Sequence, residues 1–157
     1  SLHHDLRMLS FATDRFEALP RLQAMIASND VVVIDRYVAS NAVYQGAFLS
    51  DEAFQAFATK VFTFEHNLLP KADLTVFLKT APEISQAKAV ARAALDENEK
   101  SLKLQKAVVG RYGQLVDWDL GGPWQTIDVM DQRQGDYRPI TEIHSQIWHL
   151  IEPMLRS

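Results

Sequence analysis

The spacing of apolar residues along the chain predicts alternating helices and strands. Steps of three and four between Leu6 and Ile26 predict one long helix, bent near Pro20. Short apolar runs predict three buried strands, at Val31–Ile34, Leu74–Leu78 and Gln125–Val129. Helical spacing returns at Phe54–Phe62, Glu83–Ala94, Leu102–Val116 and, after Pro139, Ile140–Ile151. This alternation predicts an α/β domain with a parallel sheet and helices on both faces.

Loops separate the later elements of the chain. Two polar segments, Asp117–Pro123 and Met130–Arg138, are predicted as loops. No repeat and no internal boundary is visible, so residues 1–157 are expected to form a single domain.

Composition narrows the possible functions. The net charge of -4 argues against a nucleic-acid-binding domain, because such domains usually carry an excess of basic residues. The absence of Cys excludes a disulfide, a thiolate zinc site and a cysteine nucleophile, and it fits the cytosol. No apolar run reaches the about 18 residues of a membrane span. We therefore expect a cytoplasmic protein that binds neither nucleic acid nor membrane.

Charged residues directly follow the first predicted strand. In open parallel sheets, ligands bind outside the carboxyl ends of the strands, where Asp35 and Arg36 are expected to lie. A carboxylate there can hold Mg²⁺ directly or through water. A guanidinium there can grip a phosphate through two parallel hydrogen bonds. The alternative is a solvated Asp–Arg pair that ends a strand.

Polar and aromatic residues follow Asp35 and Arg36 along the chain, at spacings of about one helical turn. They are Ser40, Asn41, Tyr44 and Gln45. Amides can read the donor and acceptor edge of a base, and a Tyr ring can close off a sugar. In the alternative interpretation, Ser40 and Asn41 are caps and Tyr44 belongs to the core.

An aromatic and a basic residue share one face of the first predicted helix. Phe11 and Arg15 are four residues apart. The ring can stack on a base while the guanidinium donates to a carbonyl oxygen. The alternative is a core Phe11 and a surface Arg15.

One stretch of the chain carries a specific family resemblance. Asp35–Gly46, which reads DRYVASNAVYQG, resembles the Asp-Arg-Tyr signature of thymidylate kinases. Further segments resemble that family in the same order: Leu9–Arg15, Lys71–Leu78, Asp96–Glu99 with Tyr112, and Ile143–Trp148. The resemblance implies a P-loop NTPase-like three-layer parallel sheet. It also implies ATP-dependent phosphorylation of dTMP to dTDP with Mg²⁺, by a homodimer. A non-catalytic nucleotide-binding or dimerising protein, or a kinase for another deoxynucleotide, stays an alternative.

The resemblance also implies roles at the base end of the site. Phe11 would stack on thymine, and Arg15 and Asn41 would hydrogen-bond the edge of the base. Ser40 and Gln45 would support the base pocket.

At the phosphate end, the resemblance implies the catalytic residues. Arg36 would hold the acceptor monophosphate, and Asp35 would lie near Mg²⁺ and its water shell. Tyr44 would pack near the sugar C2′ and disfavour a ribonucleotide. The lid is expected at about residues 84–101, where Arg92 is the candidate cation; a solvated helix face is the alternative.

One element of the family pattern does not occur in the chain. No Gly-x-x-x-x-Gly-Lys-Ser/Thr loop, which cradles donor phosphates, is present. In the family that loop follows the first strand, which lies between the strands represented here by Val31–Ile34 and Leu74–Leu78. We therefore expect the first strand and the P-loop in an upstream segment.

Overall fold

The computed structural model describes residues 2–91, 101–131 and 133–155. Within these ranges the helices are α1 (Leu2–Glu17), α2 (Leu19–Ser28), α3 (Val38–Gly46), α4 (Asp51–His66), α5 (Pro82–Ala91), α6 (Leu102–Asp117) and α7 (Ile140–Leu155). The strands are β1 (Thr75–Lys79), β2 (Trp124–Asp128), β3 (Met130–Asp131) and β4 (Asp136–Tyr137).

Helix α3 lies at the centre of the helical packing, against α1, α4 and α6. Its buried Val38, Ala42 and Val43 share a core with Met8 of α1 and Phe54 of α4. Apolar burial of this kind contributes about 25 cal/mol per Å² removed from water. The polar residues of α3 are therefore held on a helix that three neighbours fix in place.

Helices α3 and α4 approach closely because Gly46 has no side chain. A Cβ at residue 46 would lie 2.6 Å from Cδ2 of the Phe54 ring. Helix α4 then begins after Ser50, whose side chain accepts a hydrogen bond from the backbone N–H of Ala53. The packing and the cap together set the angle at which α4 leaves α3.

Buried Arg111 of α6 holds the connection between α3 and α4. Its guanidinium donates to the backbone oxygens of Ala47 and Leu49 and to the Asp51 carboxylate, the last at 2.7 Å. It also lies over the Phe54 ring, 4.5 Å from the ring centroid. These contacts tie α6 to the backbone between α3 and α4.

The main sheet consists of β1 and β2, which pair in parallel from Thr75 opposite Trp124 to Lys79 opposite Asp128. Both strands lie within a residue of their predicted positions. Phe77 of β1 stacks on Tyr112 of α6 with ring centroids 5.2 Å apart. Tyr112 thereby links the sheet to the helices.

The predicted strand Val31–Ile34 was wrong. These residues form no strand, and the Val33 side chain is 82% exposed. A parallel strand is held by hydrogen bonds to a neighbour, and in the described part of the chain no strand pairs with this segment. β-branched residues favour a half-buried pleated surface, but they do not form one alone.

Two further predictions are corrected. The single bent helix is two helices, α1 and α2, separated at Ala18; Pro20 lies in the first turn of α2, where its missing N–H costs nothing. The predicted loop Met130–Arg138 contains the antiparallel hairpin β3–β4, with Met130 opposite Tyr137. Its turn is held by Asp131, which accepts from the backbone N–H groups of Arg133 and Gln134.

The predicted lid is covered only in part. Helix α5 begins at Pro82, as expected, and the structure describes it to Ala91. Arg92 and Asp96–Glu99 lie outside the described residues. No helix in the ranges described is both long and apolar enough to cross a membrane.

Candidate functional site

The predicted site residues within the described ranges lie on two packed helices, α1 and α3, and on the segment between α2 and α3. Phe11 and Arg15 lie on α1, and α1 packs against α3. Phe11 is one turn from both Met8, which is in the core, and Arg15. Its side chain is 51% exposed, so the alternative of a core Phe11 is wrong.

Arg15 forms an ion pair with a residue that the sequence did not single out, Glu65 of α4. Arg15 Nε lies 2.6 Å from Glu65 Oε2, and Arg15 Nη2 lies 2.7 Å from Oε1. The Glu65 carboxylate is fully buried, while the Arg15 side chain is 17% exposed. Two parallel bonds fix the plane of the guanidinium, so Arg15 is an oriented donor and not a free surface charge.

Asn41 of α3 joins the same network. Its Nδ2 donates to Glu65 Oε1 at 2.8 Å and to the backbone oxygen of Met8 at 3.0 Å. Its Oδ1 is buried and has no hydrogen-bond partner among the described residues. A buried acceptor left in this way costs about 1–3 kcal/mol. Such groups are rare in native proteins and call for an explanation.

Arg36 lies at the entrance to α3 in an unusual backbone conformation. Its φ of 59° falls in the left-handed region, which residues other than Gly seldom adopt. The guanidinium carbon lies 5.2 Å from the centroid of the Tyr44 ring, a cation–π contact. The side chains of Arg36 and Asp35 are both exposed. A charged pair is therefore presented to solvent beside the aromatic face of α3.

Ser40 and Tyr112 form a second polar contact at the site. The Ser40 and Tyr112 hydroxyl oxygens lie 2.7 Å apart. Burial raises the pKa of Tyr112 above its usual value, while the bond from Ser40 and the charge of Arg36 act against that rise. The hydroxyl stays protonated at neutral pH and can take part as a neutral group. Ser40 lies inside α3 and is not its cap, because Tyr37 occupies that position.

Tyr37, between Arg36 and α3, fixes the start of the helix. Its hydroxyl donates to the backbone oxygen of Pro70 at 2.9 Å. Burial also raises the pKa of Tyr37, and the nearby Arg15 charge opposes that rise. The Asp35-Arg36-Tyr37 motif therefore combines two exposed charged residues with one half-buried anchor.

Asp35 is a candidate ligand for Mg²⁺, which needs few protein ligands. In nucleotide enzymes Mg²⁺ usually keeps several waters and binds one or two carboxylates together with phosphates. Asp35 offers one exposed carboxylate beside Arg36. The described ranges contain no cluster of three or more ligating side chains. The residues present fit a metal held mainly by water and phosphate, to which Asp35 would offer one carboxylate.

Two site residues were missed by sequence reasoning. Glu65 follows Val61 and Phe62 at helical spacing, so it lies on the apolar stripe of α4, where a carboxylate is out of place. That misfit was the available signal. Tyr112 was noticed as part of a helix and of the family resemblance but not as a site residue, and its contact with Ser40 crosses 72 positions of sequence. Gln45 is half-buried on α3, and Arg92 lies outside the described residues.

Comparison with known proteins identifies the family. The sequence model of the family described as thymidylate kinase matches residues 2–134. The chain belongs to the thymidylate kinase family. This membership confirms the resemblance carried by Asp35–Gly46 and the P-loop NTPase-like α/β fold class that it implied.

Individual thymidylate kinases are similar over most of the chain. Two curated thymidylate kinases, from Mycobacterium tuberculosis strains CDC 1551 / Oshkosh and H37Rv, are each 34% identical over 125 residues, which is 74% of this chain and 58% of the relative. A probable thymidylate kinase from Pyrobaculum aerophilum is 30% identical over 99 residues, covering 62% of this chain and 48% of the relative. The chain thus spans about half to three fifths of the length of these curated relatives.

Proposed function

We propose that this chain provides the dTMP-binding part of an ATP-dependent thymidylate kinase, which converts dTMP into dTDP. The observation that carries the proposal is the unmatched acceptor of Asn41 beside the oriented donor Arg15. Thymine presents the complementary pair, a donor at N3 and an acceptor at O4. The names of the similar proteins support the same substrate.

At the base end, three residues share the task of recognition. Phe11, exposed on α1, offers a ring face on which thymine can stack. Arg15 would donate to O4, and Asn41 Oδ1 would accept from N3–H. In the structure Oδ1 is enclosed by protein, so admitting the base requires a local shift of the side chains around it.

At the phosphate end, Arg36 would bind the monophosphate of dTMP. Its guanidinium rests on Tyr44 and is open to solvent, and Tyr44 would lie near the sugar C2′. Bound ATP with Mg²⁺ would supply the γ-phosphoryl group; a phosphate oxygen of dTMP would attack it, so that dTDP forms and ADP leaves. Arg36 would orient that oxygen and offset the charge of the acceptor, while Asp35 would hold Mg²⁺ through water. Catalysis of phosphoryl transfer is almost entirely positioning and charge stabilisation.

The wider setting is part of the same proposal. The homodimer rests on the family resemblance, and the cytoplasmic location rests on that resemblance and on a chain without Cys. The upstream P-loop and the lid cation Arg92 stay predictions.

The acceptor site is tested by titrating the 157-residue chain with dTMP, dUMP, dGMP, dCMP and unphosphorylated thymidine in a calorimeter. We expect dTMP to bind best and thymidine much more weakly, because thymidine lacks the group that Arg36 holds. Phe11→Ala should weaken dTMP binding by about 1–3 kcal/mol through lost stacking. The exposed Phe48→Ala is the matched control.

Two results would overturn the proposal. Equal binding of dTMP and thymidine would remove the phosphate site, and preference for another monophosphate would reassign the substrate. Transfer itself is tested on the full gene product with ATP and Mg²⁺, by chromatographic measurement of dTDP. Binding of dTMP without formation of dTDP would favour a non-catalytic nucleotide-binding protein.

A further inference from the structure

We propose that Glu65 sets the hydrogen-bonding polarity of the base site and thereby makes it selective for thymine or uracil over cytosine. This inference rests on the proposed function and adds a positioning residue to it. Glu65 would act only through Arg15 and Asn41, without touching the base.

Glu65 holds a costly place in the fold. Its side chain is fully buried on α4, within the apolar stripe of that helix. Removing a carboxylate from water is unfavourable unless it is paired and hydrogen-bonded. Glu65 accepts three hydrogen bonds, two from Arg15 and one from Asn41. Its contacts thus come from the two residues proposed to read the base.

The Asn41 amide could in principle be turned by half a rotation. Such a turn would exchange the amide oxygen and nitrogen. Both groups that face Nδ2, the Glu65 carboxylate and the Met8 carbonyl, are acceptors. The turned amide would bring its oxygen against two acceptors, so only one orientation is satisfied. Glu65, together with the Met8 carbonyl, thus makes Oδ1 the free group of Asn41, and Oδ1 can only accept.

The Arg15 guanidinium is divided between Glu65 and the ligand. Glu65 occupies Nε and Nη2, which leaves Nη1 without a partner among the described residues. The pair presented to a ligand is therefore one donor, from Arg15, and one acceptor, from Asn41. Thymine and uracil match this pair with O4 and N3–H. Cytosine offers an acceptor at N3 and a donor at its amino group. The Arg15 donor would therefore face a donor, and the Asn41 acceptor would face an acceptor.

A purely structural Glu65 would behave differently. Loss of a buried ion pair would lower the free energy of unfolding and would weaken the binding of every nucleotide to a similar extent. A polarity-setting Glu65 controls the ratio of the affinities for dTMP and dCMP. That ratio separates the two roles, because general destabilisation cancels from it.

The test compares Glu65→Gln with the wild-type chain. The substitution keeps the size of the side chain. In the variant the new amide nitrogen opposes Asn41 Nδ2 in the original orientation, whereas the Met8 carbonyl opposes Oδ1 in the turned one. Each orientation then keeps one favourable contact, so both become populated. The dissociation constants for dTMP and dCMP are measured by calorimetry at one pH and one salt concentration. We expect the wild type to prefer dTMP at least about 100-fold, and the variant less than about 10-fold. Glu52→Gln, at an exposed position on the same helix, should keep the wild-type ratio.

The outcomes distinguish this inference from the function on which it rests. A wild type that binds neither nucleotide, or binds both equally, refutes the proposed dTMP site. A folded Glu65→Gln chain with the wild-type ratio refutes the role of Glu65 alone. Circular dichroism melts establish that the variant is folded.

A second measurement needs only the wild type, and it tests the orientation of Asn41 on which the inference depends if Glu65→Gln does not fold. Dipolar NMR contacts are recorded for the Asn41 amide protons in the complex with dTMP. We expect these protons to stay near Glu65 and Met8 and away from the base, and dTMP methylated at N3 to lose at least about tenfold in affinity. Contacts of the amide protons with the base, or full affinity for the methylated nucleotide, would contradict the inference.

Discussion

Arg36 joins an exposed charge to a strained backbone. The left-handed conformation costs a residue with a Cβ roughly 1–2 kcal/mol. Asp119, with a φ of 48°, belongs to a type that tolerates this region, whereas Arg does not. Strained residues persist where the surroundings hold them, and they cluster at functional sites. The Arg36 guanidinium lies over the Tyr44 ring, and under the proposed function the strained conformation helps to place this charge for the phosphate.

This strain predicts different effects for two substitutions of Arg36. Arg36→Ala and Arg36→Gly both remove the guanidinium, so both should weaken dTMP binding at least about tenfold and abolish turnover in the full gene product. The free energy of unfolding of Arg36→Gly should nevertheless be about 1 kcal/mol higher than that of Arg36→Ala, because Gly adopts a positive φ without strain. Calorimetry with dTMP and urea denaturation measure the two effects.

Arg21→Ala, at an exposed position on α2, is the control for loss of a positive charge. Near-normal dTMP affinity in both Arg36 variants would refute the phosphate-holding role. Equal stability of the Ala and Gly variants would refute the strain.

The candidate site residues that could be predicted from the sequence are those that lie close together along the chain. Asp35, Arg36 and Asn41 stand within one short motif, and polar residues grouped after an apolar run draw attention. Glu65 was not found because its partner Arg15 is 50 positions away, and nothing in the spacing connects them. The proposed selectivity of the site depends on such long-range pairs.

Among the elements, the contact between α3 and α4 does most to fix the site. Helix α3 carries Asn41, and α4 carries Glu65, so the 2.8 Å hydrogen bond between them depends on how closely the helices pack. Gly46 permits that approach, since a Cβ there would press on the Phe54 ring. The helices themselves followed from apolar spacing, but their closeness depends on one missing side chain.

This arrangement predicts opposite results for two Gly→Ala substitutions in helices. Gly46→Ala should lower the free energy of unfolding by about 1–3 kcal/mol, because the new methyl group overpacks the core. Gly110→Ala in α6 is the matched control, since a Cβ there meets no atom within 4 Å. Gly110→Ala should raise the free energy of unfolding by about 0.4–1 kcal/mol, because Ala gives the unfolded chain less conformational freedom than Gly.

Urea denaturation measures both changes. A neutral or stabilising Gly46→Ala would show that α3 and α4 do not pack as closely as described. The same variant should bind dTMP less tightly than Gly110→Ala, because moving α4 displaces Glu65 from Asn41.

For the whole molecule, the α/β class was predictable, whereas the number of paired strands was not. Helices are encoded locally, so the predicted helical segments recur in the described chain with shifts at their ends, except that the first predicted helix is divided into α1 and α2. Strand pairing joins residues far apart, and β1 and β2 pair across the intervening helices α5 and α6. Val31–Ile34 has the residues of a strand but no pairing neighbour in the described chain, and Val33 stays exposed.

The described part of the chain also has a cavity away from this site that contains arginines. The cavity, of about 400 Å³, lies beside the β3–β4 hairpin and the start of α7, and Arg133, Arg138, Asp131 and Glu142 line it. Neither Asn41 nor Arg36 lines this cavity. We place the monophosphate of dTMP at Arg36 and its base at Asn41, and we give this cavity no part in binding dTMP.

The most direct test is a crystal structure of the chain soaked with dTMP. We predict the thymine ring on Phe11, with N3 within hydrogen-bond distance of Asn41 Oδ1 and the phosphate on the Arg36 guanidinium. Density for dTMP in the cavity lined by Arg133 and Arg138, with Asn41 Oδ1 still unpartnered, would contradict this binding mode.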